Sequence, residues 1–149
     1  MDQKKYKNSS PRVKVIQKIY RSLMNPDEEI IYSKSQYKKY IKDVVSGTLE
    51  RIELIEETIL KHLDKDIDLK KTDKLLKIIL FSATFELMFK HSTPKNVVIS
   101  EYVRASEFFL EKAQISYLNA ILDKLSKLIR KDWFTDIFPF INDKFNLPF

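Results

Sequence analysis

Apolar residues recur along this chain at the three- and four-residue spacing of an amphipathic α-helix. The first such series follows Pro11, a residue suited to a first helical turn, and ends before Asn25 and Pro26. A second series runs from about Lys34 to Leu63 and predicts one long helix. Alternating runs and hairpin turn dipeptides are almost absent, so strands have little support. The pattern therefore predicts an all-α fold.

The stretch from about 73 to 90 is apolar on nearly all sides, and Thr72 before it is a candidate N-cap. A helix without a polar face is buried on most sides, so we expect this one to be the central element. Two further helices are predicted, one after Pro94 and one from about Gln114. Gly47, inside the long helix, predicts either close helix packing or a kink.

A chain of 149 residues is long enough for one domain with a sizeable core. It contains no cysteine, which excludes disulfides, a cysteine nucleophile and thiolate metal sites. Its single glycine excludes the glycine-rich loops that hold phosphates in nucleotide-binding enzymes. The two histidines, His62 and His91, are far apart in sequence. We predict no catalytic residue, no cofactor and no metal site.

The net charge of +6 comes from the N-terminal segment. Residues 1–24 hold seven basic side chains and one acidic side chain, whereas the basic and acidic residues of the remaining chain cancel. Such an asymmetric basic segment indicates a polyanionic partner, either a nucleic acid or an anionic membrane surface. The alternative is a solvated terminus that serves only solubility.

No stretch is apolar enough to span a bilayer or to act as a signal sequence. The most apolar run, from Leu75 to Phe89, is interrupted by polar and charged residues. We therefore expect a cytoplasmic protein without a membrane partner.

The C-terminal stretch 131–149 is rich in aromatic residues: it holds Trp133, Phe134, Phe138, Phe140, Phe145 and Phe149. Such side chains aggregate if exposed, so folding back onto a helical groove is the first interpretation. Contact with a second copy of the chain, giving a homodimer, or with another protein is the second. Base stacking is the third.

Four segments in order resemble the NusB family of bacterial transcription antitermination factors. Residues 15–20 resemble the family's first helix, and residues 40–47 resemble a segment that ends in the glycine. Residues 76–101 contain the Phe85-Glu86-Leu87 and Val97-Val98-Ile99-Ser100-Glu101 elements. Residues 118–124, Leu-Asn-Ala-Ile-Leu-Asp-Lys, complete the resemblance, which covers roughly residues 12–130.

The resemblance implies an all-α fold of about seven helices in two packed three-helix bundles. We expect one domain over residues 1–149, with residues 1–11 as a flexible basic arm and 131–149 as an extension. It also implies a protein that is not an enzyme. Family members pair with the ribosomal protein NusE, bind boxA-type RNA of ribosomal RNA transcripts and act in the antitermination complex of RNA polymerase.

Candidate site residues follow from the resemblance together with the charge pattern. The RNA-binding candidates are Lys4, Lys5, Lys7 and Arg12 for phosphates, Tyr117 for stacking, and Asn119. The candidates for the protein partner are Tyr20, Leu76 and Phe81. Tyr117 and Tyr20 are equally well explained as partly buried helix tyrosines. For Asn119, a structural hydrogen-bonding role is favoured over an RNA contact.

Three other functions remain open. The first is a stand-alone RNA-docking module, because the chain is similar to the helical domain at the N-terminus of ribosomal-RNA cytosine methyltransferases. A helical adaptor that binds only protein, with a merely solvated basic segment, is another. An enzyme with carboxylates converging from separate helices is the least favoured.

Overall fold

The computed structural model describes residues 2–130, and all regular structure within them is helical. These residues form seven helices, about the number that the family resemblance implies, and the all-α fold is confirmed. They are α1 (Gln3–Ser9), α2 (Pro11–Met24), α3 (Lys38–Glu50), α4 (Ile52–Leu63), α5 (Lys74–Phe89), α6 (Lys95–Ser106) and α7 (Lys112–Ile129). Among residues 2–130, no helix has the length and apolar character needed to cross a membrane. The aromatic extension 131–149 lies outside the described residues, so its contacts stay predictions.

Helix α5 is the central element, as its sequence predicts. Eleven of its residues are buried, including the polar Ser82, Thr84 and Glu86. The hydroxyls of Ser82 and Thr84 are satisfied by backbone carbonyls one turn earlier, at 3.0 and 2.6 Å. The predicted cap Thr72 is wrong by one residue: the Asp73 carboxylate accepts from the Leu76 N–H at 3.1 Å, and Asp73 is the N-cap.

The other helices form two groups around α5. On one side, α2 and α3 pack against each other and against α5. On the other, α6 and α7 pack against each other and against α5, while α4 contacts both α5 and α7. The two three-helix bundles implied by the resemblance are therefore not separate, since α5 belongs to both. This sharing explains why α5 needs an apolar surface all round.

The predicted long helix from Lys34 to Leu63 is wrong in its extent, because it starts at Lys38 and is broken at Arg51. Arg51 leaves helical geometry, with φ −118° and ψ 24°, and its N–H donates to the Thr48 carbonyl at 3.3 Å. Its guanidinium lies 5.0 Å from the ring centre of Phe89 on α5. The apolar spacing continues across the break, so periodicity alone did not reveal it.

Gly47 marks the close approach of α3 to α5. A Cβ atom built at this position would overlap the ring of Phe85. Of the two predictions for this glycine, close packing is therefore confirmed. The ring of Phe85 occupies the space that any other residue's side chain would need.

Candidate nucleic-acid and partner surfaces

The basic N-terminal segment is a helix fixed to the body of the protein rather than a flexible arm. The Asp2 side chain caps α1 by accepting from the Lys4 N–H at 3.3 Å. Tyr6 is buried, its ring centre lies 5.8 Å from that of Phe108, and the Arg104 guanidinium lies 3.8 Å from the Tyr6 ring centre. The expectation of a flexible arm over residues 1–11 is therefore wrong over Gln3–Ser9, because one aromatic side chain anchors the helix.

Three predicted phosphate-binding residues, Lys4, Lys5 and Lys7, are exposed on α1. The Lys7 ammonium lies 5.7 Å from the ring centre of Phe108, which holds it close to the protein surface. The structure thus presents these three cations to solvent from a docked helix. A docked helix loses less conformational entropy on binding than a free arm does.

Arg12, the fourth predicted phosphate contact, is turned inward and is 9% exposed. Its Nη2 and Nε donate to the two carboxylate oxygens of Glu86 at 2.9 and 3.2 Å. This bidentate geometry is the strongest that an arginine and a carboxylate can form. The buried pair occupies the guanidinium, and it removes Arg12 from the set of residues available to RNA.

Aromatic residues complete the surroundings of this ion pair. The Tyr40 hydroxyl donates to Glu86 Oε2 at 2.7 Å, and the Arg12 guanidinium lies 5.2 and 5.4 Å from the ring centres of Tyr40 and Tyr102. Burial is the largest single effect and lowers the pKa of the Arg12 guanidinium, but the Glu86 carboxylate together with Tyr40 and Tyr102 reverses this, and the net pKa is raised. Burial and then the Glu86 charge raise the pKa of Tyr40, so its hydroxyl remains a donor. The cluster is a structural connection between α2, α3, α5 and α6.

The two predicted RNA-binding residues on α7 lie on different sides of that helix. Tyr117 donates its hydroxyl to the Asp66 carbonyl, after α4, at 3.0 Å. Asn119 is exposed and, with Asp123, lines a hollow between α6 and α7. Residues two positions apart on a helix point about 200° apart, which accounts for the separation. The favoured structural role for Asn119 required burial, and its exposure contradicts that expectation.

The hollow beside Asn119 extends to α1 through Arg104. Its wall also contains Ser100 from α6 and Glu107, the residue after α6, and Arg104 stacks on the Tyr6 ring of α1. Arg104 therefore links α1 to the hollow that Asn119 lines, whereas Tyr117 lies outside it. Sequence reasoning missed Arg104; its position two residues after the buried Tyr102 on α6 is the signal that places it on the outer face.

An apolar groove lies on another part of the molecule, between α2, the α3–α4 junction and α5. It is lined by Ile19, Leu23, Thr48, Ile52, Lys74, Lys77, Ile78 and Phe81. Of the predicted partner residues, Phe81 lines this groove and Tyr20 is 39% exposed. Leu76 is 6% exposed and lies outside the groove wall. Leu23 on α2 is 38% exposed and lines this groove.

The fold and these surfaces define a helical binding protein. Within residues 2–130, no three Asp, Glu or His side chains converge as metal ligands would. The model of the NusB family matches residues 4–127, which is most of the chain. The chain therefore belongs to the NusB family, and the resemblance carried by the sequence motifs is confirmed.

Individual relatives agree with this assignment. The chain is 25% identical to the transcription antitermination protein NusB of Sphingopyxis alaskensis over 148 residues, covering 88% of this chain and 99% of the relative. It is 37% identical to the protein of the same name from Coxiella burnetii, over 62% of this chain and 65% of the relative. With the Rhodopseudomonas palustris relative the match is 32% identical and spans 57% of that protein's length.

A solved structure shows the same fold. The structure of NusB from T. maritima superimposes with a TM-score of 0.71, covering 83% of this chain and 94% of that one, at 22% sequence identity. At this identity the likeness supports the fold alone. The NusB family is one of transcription factors and is not a known enzyme family.

Proposed function

We propose that this protein is a transcription antitermination factor that binds boxA-type RNA of ribosomal RNA transcripts together with the ribosomal protein NusE. The observation that carries the proposal is the presence, in a NusB-family chain, of a basic docked helix and a separate apolar groove. Two separate surfaces allow RNA and protein to bind at the same time. Acting on a transcript in the RNA polymerase antitermination complex implies a cytoplasmic location.

The proposed RNA surface consists of Lys4, Lys5 and Lys7 on α1 with Arg104 and Asn119 beside them. The lysines neutralise phosphates and release counterions, which gives affinity without reading sequence. Asn119 is exposed in the hollow between α6 and α7, where its amide can pair with the edge of an unstacked base. The Arg104 guanidinium lies 3.8 Å from the ring centre of Tyr6, and Arg104 also lines the hollow, where a guanidinium can contact a phosphate.

The proposed NusE surface is the apolar groove with Tyr20 beside it. It exposes Leu23 and Tyr20, and aromatic side chains such as Tyr20 are enriched at protein interfaces. Phe81 forms part of the wall, and the Lys77 ammonium lies 5.8 Å from its ring centre at the groove edge. The central part is apolar and the rim is charged, which is the usual arrangement of a protein–protein interface.

Fluorescence anisotropy tests the RNA assignment. A boxA-type RNA and a scrambled control are titrated with and without the organism's NusE, at two salt concentrations. We expect selective binding that strengthens when NusE is added. The double variant Lys4→Gln/Lys7→Gln should weaken binding and flatten its salt dependence, whereas Lys61→Gln/Lys70→Gln removes the same charge elsewhere and should not. Equal affinity for both RNAs under every condition would refute the proposal.

Leu23→Glu tests the groove. It places a charge on an apolar interface at an exposed position, so the fold should tolerate it while NusE binding is lost. Val97→Glu on α6 is the matched control, because Val97 is similarly exposed and lies outside the groove. Calorimetric titration with NusE measures both. Unchanged binding by the Leu23 variant would exclude this groove as the NusE surface.

A further inference from the structure

A second basic feature lies on the outer face of α2, in a concave hollow closed by the connecting segment and the start of α3. Its walls hold Lys14, Gln17, Lys18, Arg21, Tyr32, Ser33, Ser35, Lys38 and Ile41. Four of these nine side chains are cations and none is acidic. The hollow exists only in the folded chain, because Tyr32 and Lys38 come from beyond the end of α2.

The cations of α2 form one row. Lys14, Lys18 and Arg21 are spaced four and three residues apart, so they share a face and span about 10 Å along the helix. Arg21 pairs with Glu28. Within residues 2–130, no carboxylate lies within ion-pair distance of the ammonium groups of Lys14, Lys18 and Lys38.

Lys18 is held in the middle of this row. Its ammonium donates to the Ile31 carbonyl at 2.6 Å and lies 5.3 Å from the ring centre of Tyr32. Burial, followed by the charges of Lys14 and Arg21, lowers the pKa of the Lys18 ammonium. The folded protein therefore brings like charges together, and among them Arg21 has a carboxylate partner, Glu28. An anion in the hollow would relieve this repulsion.

We propose that this hollow is a second contact site for the phosphodiester backbone of the single-stranded RNA. The inference rests on the proposed function and adds to it a site away from Asn119. Only Ser10 separates α1 from α2, so the lysines of α1 lead along the chain into this row. A strand with one charge per nucleotide can enter a concave row of cations, which a flat membrane surface does not fit.

The site should bind RNA without reading its sequence, because it offers ammonium groups for phosphates. Each phosphate contact to a single strand contributes about 0.7 to the slope of log affinity against log salt concentration. The double variant Lys14→Gln/Lys38→Gln removes one cation from each wall, and neither ammonium takes part in an ion pair among the described residues. We expect the slope to become shallower by about 1.4 for boxA-type and scrambled RNA alike.

The matched control is again Lys61→Gln/Lys70→Gln, whose two exposed lysines lie on α4 and the loop after it. Its slope should equal that of the unchanged protein, and circular dichroism should show all three proteins folded to the same extent. An unchanged slope for Lys14→Gln/Lys38→Gln overturns the second site. If the unfolding temperature of that variant falls, Lys14→Arg/Lys38→Arg keeps the charge and must restore the slope.

The outcomes separate this inference from the proposed function. A shallower salt dependence in Lys14→Gln/Lys38→Gln, together with equal affinity of the unchanged protein for boxA-type and scrambled RNA, supports RNA binding in the hollow and refutes the boxA assignment. Selectivity of the unchanged protein for boxA-type RNA, together with an unchanged salt dependence in Lys14→Gln/Lys38→Gln, supports the boxA assignment and refutes RNA binding in the hollow. Absence of any RNA binding overturns both. Sedimentation with anionic vesicles is measured in parallel, and a variant defect seen only there would assign the hollow to a membrane and refute the RNA contact.

Discussion

Helix α2 carries its cations on two faces that behave differently. Arg12 faces the core, where it forms a bidentate ion pair with Glu86. Lys14, only two positions later, belongs with Lys18 and Arg21 to the basic row on the outer face. In sequence these residues form one basic segment. Net charge therefore overestimates the surface available to a polyanion when some of the cations are held in buried ion pairs.

The largest expected effect is at Arg12. Arg12→Ala leaves the Glu86 carboxylate buried without its partner, which should lower the free energy of unfolding by about 3–5 kcal/mol. Lys14→Ala on the other face should change it by less than about 0.5 kcal/mol. Urea unfolding measures both. Similar values for the two variants would contradict the division of α2 into a structural and a binding face.

Tyr40 tests the same buried cluster from α3. Tyr40→Phe removes the hydroxyl that donates to Glu86 at 2.7 Å and should cost about 1.5–3 kcal/mol of unfolding free energy. Tyr37→Phe is the control, because Tyr37 is 43% exposed and its change should be small. RNA affinity should not change in either variant. A loss of RNA affinity in a fully folded Tyr40→Phe protein would show that the cluster also serves binding.

A substitution at Gly47 tests how much tight packing between α3 and α5, without any change of charge, contributes to the stability of the fold. Gly47→Ala forces a methyl group against the Phe85 ring and should cost about 1–3 kcal/mol of unfolding free energy. Ser46→Ala, one position earlier, should have little effect. Combining Gly47→Ala with Phe85→Leu should restore part of the loss. If Gly47→Ala is neutral in thermal unfolding, the close contact between α3 and α5 is wrong.

The smallest expected effect is the stabilisation of the fold by an anion bound in the hollow on the outer face of α2, measured in the absence of RNA. Inorganic phosphate bound in the hollow should stabilise the fold by about 0.4 kcal/mol at a concentration equal to its dissociation constant. The expected observation is a slightly larger rise in unfolding temperature for the unchanged protein than for Lys14→Gln/Lys38→Gln, at equal ionic strength. An identical rise would mean that phosphate acts only through its general effect on protein surfaces.

Several residues show where sequence reasoning succeeded. The all-apolar pattern of α5 identified the central helix, and four motifs in order along the chain identified the family. The single glycine predicted close helix packing or a kink, and the first of these is confirmed. These features are local, so they can be read from spacing and residue type. The exposed lysines of α1 also follow from the sequence, because nothing in their neighbourhood can bury them.

Other residues show where it failed. Arg12 was assigned to phosphates, yet its partner Glu86 lies 74 positions away in sequence. Tyr117 and Asn119 were assigned to one RNA surface, but α7 carries them on different sides. The break at Arg51 leaves the apolar spacing intact and so escapes periodicity. For Arg12 the decisive contact is made with a different helix, whereas the separation of Tyr117 and Asn119 follows from their spacing on α7.

The helical fold, the central position of α5, the family and the basic character of the N-terminal segment all follow from the amino-acid sequence. Which basic residues face outward depends on how the helices pack, and this packing also brings Tyr32 and Lys38 to the row on α2. It also anchored α1 through Tyr6 and opened the groove beside Leu23 and Phe81. The physical reason is that periodicity describes one helix at a time, whereas a binding surface depends on which helices are neighbours.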